Sequence, residues 1–530
     1  MKKTAGIIFR SAILVLLGVG IGLLVSDNDI TGNNLGFSFA KNDKLQKVLQ
    51  LVRQNYVDSV NVDSVEGVTV NNLLQSLDPH SMYLPRQQAM AINEKLDGGF
   101  DGFGINYQLL RDTLVITQTY PGGPAANAGL ASGDKVIAVN NKNFSGTQLT
   151  TERVDKTFTN KQAAELALQV ITPDKAVKTI HIKRGHVDLS SLDAAYMAAP
   201  QIGYIKISKF ASNTDDDFKK ALKDLKAKGM KSLILDIRGN GGGYLNTATA
   251  LADEFLSEGK LIVYTKGVHE PRTDYFATDS GDFKKGKLAV LIDEYSASAS
   301  EILAGALQDL DRATIIGRRS FGKGLVQEQF PFTDGSAVNL TVARYYTPSG
   351  RSIQKSYAGG IESYHNELST RMKKGELFSE QSNLNDSLFK KPSPYHTSSG
   401  KQVFSGGGIM PDIFVPEDST QNTNLVQQLE DNELFTAFVI DRLQPVLSSY
   451  ASSDDFVKHY TVDDARYDDF ILYASKTIKE MDSNDVRVSK PYIETLIKAY
   501  AALFKWGDEA YFETLNANDA TFNRAVAAVK

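Results

Sequence analysis

The chain has 530 residues, 42% of them hydrophobic and 23% charged, with a net charge of −5 and no cysteine. That size and composition call for several packed domains. The acidic balance gives no basis for nucleic-acid binding, and the missing cysteine excludes thiolate catalysis, disulfides and cysteine-ligated zinc.

Lys2, Lys3 and Arg10 precede an apolar run from Ala12 to Val25, and Asp27 and Asp29 follow it. Residues 1–26 therefore read as a signal peptide, with retention as a membrane anchor the alternative. Either reading sends the rest of the chain beyond the cytoplasmic membrane, with the periplasm the expected compartment. Residues 27–42 are polar and read as a tether.

Residues 43–97 form an N-terminal helical region. Leu45, Val48, Leu49, Leu51, Val52 and Tyr56 share one face, and a second helix is expected over Val68 to Leu77. It stops at Leu77-Asp78-Pro79-His80-Ser81, where His80 reads as a structural turn residue. Residues 98–185 turn to short strands: Phe103 to Tyr107, Leu114 to Ile116 and Lys135 to Val139, with a short helix at Pro124 to Leu130. Leu166 to Val170 is either a strand or a short helix.

From 186 to 420 strands alternate with helices, which argues for an α/β layer. Ile202 to Ile207 and Ser232 to Ile237 are strands, the second of the buried parallel type. A glycine loop, Arg238 to Leu245, follows. Leu261 to Tyr264, Leu288 to Ile292, Ala313 to Ile316 and Ala337 to Tyr346 complete the strands. Residues 356–402 are polar and lysine-rich and read as an insertion. Residues 421–530 show helical patterns only. Their acidic doublets, Asp454-Asp455, Asp463-Asp464 and Asp468-Asp469, read as solvated faces and caps, not as a metal site.

The stretch from Lys287 to Gln327 concentrates the chemistry. Ser296, Ser298 and Ser300 follow a fully apolar strand and open a helix, and Lys323 lies in a glycine-flanked loop after the next strand. Ligands bind beyond the carboxyl ends of strands in open α/β sheets, so Ser298 and Lys323 can meet there. The plain alternative is that Ser298 and Glu301 only make an S-x-x-E capping box.

Two resemblances add to this. Gly102-Phe103-Gly104-Ile105 and "AANAGLASGDKVIAVN" at 125–140 resemble a PDZ domain, which implies that Phe103, Gly104 and Ile105 bind a peptide carboxyl terminus by strand addition. The order of segments then resembles the carboxyl-terminal processing proteases, serine peptidases with a serine–lysine dyad. The matching motifs are "LDPHSMYL" at 77–84, "LDIRGNGGGYL" at 235–245, "YSASASEILAGALQD" at 295–309, "IIGRRSFGKGLVQ" at 315–327, "LTVARYYTPSGRSI" at 340–353 and "GGIMPD" at 407–412.

The resemblance implies Ser298 as nucleophile, Lys323 as general base and Gln327 as the group that orients the lysine. It implies oxyanion donors at Ala299 and at Gly242 or Gly243. The expected whole is a multidomain α/β chain: an N-terminal helical segment, a PDZ domain, an α/β serine-peptidase core of mixed sheet and helices, and a C-terminal all-helical segment. The implied function is an exported endopeptidase that recognises substrate C-terminal tails, with no cofactor and no metal. Proteins or peptides with exposed C-terminal tails are the expected partners; an adaptor or regulatory protein and a homo-oligomer stay open. The alternative is a non-catalytic PDZ scaffold.

Chemistry supports the dyad. A serine hydroxyl needs a base to attack a carbonyl. A solvated lysine, with a pKa of about 10.4, cannot serve near neutral pH, but burial lowers it. Rival readings lack parts. Gly317-x4-Gly322-Lys323 matches seven positions of a phosphate-binding loop, yet Gly324 stands where Ser or Thr must hold Mg²⁺. No G-x-S-x-G elbow and no H-E-x-x-H occurs.

Overall fold

The computed structural model describes residues 44–379 and 395–530, so the signal or anchor segment and the whole tether lie outside the described residues. The chain divides into two compact units, Met1–Thr69 and Val70–Lys530. In the first, the helix Lys44–Asn55 buries none of its residues. The second helix runs Val62–Gln75, starting earlier than its apolar face predicts.

The PDZ-like domain is a sheet in the order Ile105–Leu110, Thr113–Thr119, Lys135–Val139, Glu165–Ile171, Val177–Lys183. The ambiguous stretch around Leu168 is thus a strand. Its alternation decides this, because Leu166, Leu168 and Val170 are buried while Glu165 and Gln169 are exposed. Ile105–Leu110 is the edge strand, paired only with Thr113–Thr119 among the described residues. The apolar pattern of the sequence does not announce the helix Thr151–Phe158. Thr150 caps it by accepting from the Arg153 N–H, and only Val154 and Phe158 are buried.

The peptidase core is a six-stranded sheet in the order Leu192–Ala199, Ile202–Ile207, Ser232–Asp236, Leu288–Ile292, Thr314–Gly317, Ile413–Phe414. The first pair is antiparallel and the rest are parallel. Parallel strands must be covered on both faces, and alternate residues serve two separate cores. Ile205, Leu233, Leu235 and Val290 pack under the helices Thr214–Ala227, Leu245–Asp253 and Ala299–Asp309. Tyr204, Ile234, Ala289 and Leu291 pack against Phe522, Ala525 and Val529 of the last helix, Ala520–Val529. The C-terminal region is therefore a working part of the core: without it one face of the sheet is bare.

A second sheet is antiparallel throughout. Ala337–Tyr346 sits between Met82–Leu84 and Leu261–Lys266, and also pairs with Leu325–Pro331. The strand Leu325–Pro331 carries Gln327. The pairing of Met82 with Asn339 brings the Leu77–Ser81 turn onto the back of that hairpin. The insertion is not a loose excursion. Its helices Ile361–His365 and Glu367–Lys373 bury Tyr364 and Arg371 against the body; residues 380–394 lie outside the described residues.

Candidate active site

Ser298 sits at the strand-to-helix junction with φ +57° and ψ −114°, a conformation that costs a non-glycine residue about 1–3 kcal/mol. Its neighbours hold it there. Its carbonyl oxygen accepts from Glu301 N–H at 2.9 Å and Ile302 N–H at 3.0 Å, and its N–H donates to Glu301 Oε2 at 3.0 Å. The three serines have different duties. Ser296 Oγ donates to the Ile237 carbonyl and Ser300 Oγ to the Asn240 carbonyl, both at 2.8 Å. These two buried hydroxyls pin the glycine loop to the helix start. The Ser298 hydroxyl donates to no group among the described residues and remains half-buried.

Glu301, read from sequence as a helix cap, is fully buried and organises the site. Oε2 accepts from Lys323 N–H at 2.8 Å as well as from Ser298 N–H. Oε1 accepts from Gly322 N–H at 2.7 Å and from the Ser320 hydroxyl. Burial raises its carboxyl to about 7 against the pull of these donors. The Tyr345 hydroxyl lies 3.0 Å from the Ser298 carbonyl oxygen and also contacts that of Lys323, so its one proton is shared between the two loops.

This arrangement also excludes a phosphate cradle. The N–H groups of Gly322 and Lys323 are taken by Glu301, that of Gly324 by Gln354 Oε1 at 2.8 Å, and a strand follows where a helix is needed.

The Lys323 amine makes no ion pair or side-chain hydrogen bond among the described residues. Burial pulls it down to about 8, against Glu301 and Asp78, which pull it up. About a tenth of the molecules then carry a neutral lysine at pH 7, against fewer than one in a thousand for a free lysine.

The glycine loop lies against the serine. A Cβ on Gly242, whose φ is +106°, would fall 2.8 Å from Ser298 Cβ and 2.9 Å from the Ala297 carbonyl oxygen. The N–H of Gly242 is spent on Asn240 Oδ1 at 2.8 Å, whereas those of Gly243 and Ala299 meet no acceptor among the described residues. Of the expected donors, Gly243 and Ala299 therefore keep their N–H groups unpaired among the described residues, Ala299 at the positive end of its helix. The loop's start is locked by Arg238, which pairs with Asp236 at 2.6 Å and with Asp519, the cap of the last helix, at 2.7 Å. These partners hold the Asp236 carboxyl well below the usual range, although burial alone would raise it.

Gln327 does not hydrogen-bond Lys323. Its Nε2 donates to Thr341 Oγ1 at 3.2 Å, and that hydroxyl donates to Asp78 Oδ1 at 3.1 Å. His80, set aside above as structural, packs edge-on to Phe321 and Tyr364, with Nε2 2.7 Å from the Tyr364 hydroxyl. Burial first, then the Lys323 charge, drive its ring down to about 3, so it stays neutral. The insertion braces the lysine loop from outside: Arg371 donates to the carbonyls of Arg319 and Ser320, and Glu376 binds both Arg319 and Arg371. The LDPHS motif marks the turn but not its distant partners, and the composition of 356–402 marks an insertion but not its contacts with the lysine loop.

A cavity of about 460 Å³ lies at the end of the glycine loop, lined by Tyr244, Leu245, Val326 and Ala343. Another cavity, of about 850 Å³, lies beside Asp236, Arg238 and Asp293, and none of Ser298, Lys323 and Gln327 lines it. In the PDZ-like domain, the Phe103 ring is buried against Phe158 and under Arg184, so only its backbone can face a ligand. The N–H groups of Phe103 and Gly104 meet no acceptor among the described residues, and Ile105 starts the open edge strand.

Comparison with known sequences matches the domain order described above. Residues 201–363 match peptidase family S41, residues 92–171 the PDZ domain, and residues 425–507 a family of unknown function (DUF8443). The carboxy-terminal-processing protease of Bartonella bacilliformis is 35% identical over 354 residues, covering 65% of this chain and 80% of that protein. The carboxy-terminal processing protease CtpB of Bacillus subtilis is 32% identical over 324 residues, covering 60% of this chain and 66% of CtpB, just under two thirds. The structure of a photosystem II D1 C-terminal processing protease aligns at 27% identity over 58% of this chain and 88% of that one, with a TM-score of 0.32. With the identity to the Bartonella protein carried across four fifths of its length, and the PDZ and S41 segments in that order, the chain belongs to the carboxy-terminal processing proteases of peptidase family S41.

Proposed function

We propose that the chain is an exported serine endopeptidase that captures the C-terminal tail of a protein through its PDZ domain and cleaves peptide bonds with Ser298 and Lys323. The observation that carries this reading is the convergence of both residues on Glu301, with the Ser298 hydroxyl donating to no group, and the Gly243 and Ala299 N–H groups meeting no acceptor, among the described residues.

Neutral Lys323 takes the proton of Ser298 Oγ as the oxygen attacks the substrate carbonyl. The carbonyl oxygen gains the charge and is received by the N–H groups of Gly243 and Ala299, worth about 3 kcal/mol each. The Lys323 ammonium then gives its proton to the departing amine, leaving an acyl-Ser298. Water, deprotonated by the same lysine, hydrolyses it. The compartment beyond the cytoplasmic membrane is part of the proposal and rests on the basic and apolar pattern of residues 1–26.

The test is cleavage of an unfolded protein carrying either an apolar or an acidic C-terminal tail. Cleavage of the apolar-tailed form alone, lost in Ser298→Ala, supports the reading. Binding of that tail with no cleavage in any condition would turn it into a PDZ scaffold.

A further inference from the structure

The LDPHS turn lies more than two hundred residues before the dyad, yet the fold seats it behind the lysine. Asp78 is buried and accepts four hydrogen bonds: from the N–H groups of His80 and Ser81 at 2.8 and 2.9 Å, from Ser81 Oγ at 2.6 Å and from Thr341 Oγ1 at 3.1 Å. Ser81 Oγ in turn accepts from Thr341 N–H at 3.0 Å, so Thr341 is gripped by both its backbone and its side chain. The Thr341 hydroxyl has one proton, and Asp78 takes it. What it presents to Gln327 is therefore a lone pair, and only the Nε2 end of the Gln327 amide can meet it. The carbonyl end, Oε1, makes no hydrogen bond among the described residues and is left for a donor. The Lys323 amine makes none either, and the Asp78 charge faces it.

We propose that Asp78, acting through Thr341, is a positioning residue of the lysine arm: it fixes the Gln327 amide with its carbonyl oxygen outward and steadies the ammonium formed when Lys323 takes the serine proton. This rests on the reading of Lys323 as general base. Replacing the Thr341 hydroxyl frees the amide to turn. Replacing the Asp78 charge also changes how readily Lys323 holds its proton. Burial works against ionisation of Asp78, but its four hydrogen bonds prevail and hold its carboxyl below the ordinary value. The charged or titratable groups facing Lys323 are Glu301, Asp78 and His80, and His80 is itself faced by Lys355 and His365. Among them His80 stays neutral, so its charge does not compete with that of Asp78.

The experiment measures kcat, KM and the pH profile of kcat/KM on a tail-bearing substrate, together with thermal unfolding, for the full chain. Thr341→Val is expected to lower kcat on the order of 10²-fold with KM unchanged, and Thr341→Ser to restore it. In a Gln327→Ala background Thr341→Val should add no further loss, because both act on one amide. Asp78→Asn should move the acid limb of the profile to lower pH, which Thr341→Val should not. The inference is overturned if Thr341→Val causes its full loss on top of Gln327→Ala, or if Asp78→Asn leaves the limb in place. A variant that only weakens the fold would lower the unfolding temperature and shift neither limb nor epistasis. Lys323→Ala is the control: activity in it would overturn the base assignment, whereas an inactive Lys323→Ala beside an unaffected Thr341→Val would overturn this inference alone.

Discussion

Ser298 and Lys323 hang from one carboxylate oxygen: Glu301 Oε2 accepts from the Ser298 N–H at 3.0 Å and from the Lys323 N–H at 2.8 Å. The nucleophile and the base come from different strand ends, and their relative position is set by this buried bridge. The same bridge helps hold Ser298 at a positive φ that its side chain disfavours.

Glu301→Gln tests the bridge. A glutamine has one acceptor oxygen where the site offers four donors, so buried N–H groups are left facing an NH₂. The expected cost is about 2–4 kcal/mol of stability, with kcat falling on the order of 10²-fold or more as the loops separate. Thermal unfolding and steady-state kinetics check both, and wild-type values for either would remove Glu301 from the account.

The pH dependence follows from Lys323. Only its neutral form accepts the serine proton, so kcat/KM should rise with pH through about 8. The folded pKa lies below the unfolded one, so the buried lysine is fully tolerated only above the unfolded value. Its penalty grows as pH falls toward 8 and is complete below it. Lys323→Met should therefore be inactive yet more stable than wild type at pH 7, by about 2–3 kcal/mol. Denaturant unfolding at pH 7 and at pH 10 reads this, with the gain shrinking at the higher pH.

Gly242→Ala tests the loop's approach to the serine. The added methyl would press on Ser298 Cβ and the Ala297 carbonyl. An activity loss on the order of 10²-fold is expected, with the chain still folded. The loop carries its strain locally, so circular dichroism should be unchanged while kcat falls.

The PDZ reading predicts a carboxylate requirement. A peptide with a free apolar C-terminus should bind through the N–H groups of Phe103 and Gly104. Its amidated twin should bind at least about 10-fold more weakly. Calorimetric titration of the Ser298→Ala chain decides this, and equal affinities would place the peptide elsewhere.

The parts legible in the sequence were those written in short-range pattern. Leu288–Ile292 is uniformly apolar because it is covered on both faces, and its turn into Ser298 announces a strand-to-helix junction. Glu301 was legible only as a cap, since S-x-x-E looks the same whether or not a distant loop also uses the carboxylate. Asp78 and His80 were out of reach because their partners, Thr341 and Tyr364, lie more than 250 residues away and meet them only through the second sheet and the insertion. The strand Leu325–Pro331 escaped because Gln327, Glu328 and Gln329 break its alternation. The helix Thr151–Phe158 escaped because only two of its residues face inward.

The most direct measurement is cleavage of an unfolded, apolar-tailed protein by wild type, Ser298→Ala and Lys323→Ala, each with and without EDTA. Wild-type cleavage should survive EDTA and be lost in both variants, by about 10⁴-fold or more. Cleavage by Ser298→Ala at the wild-type rate would remove Ser298 as the nucleophile.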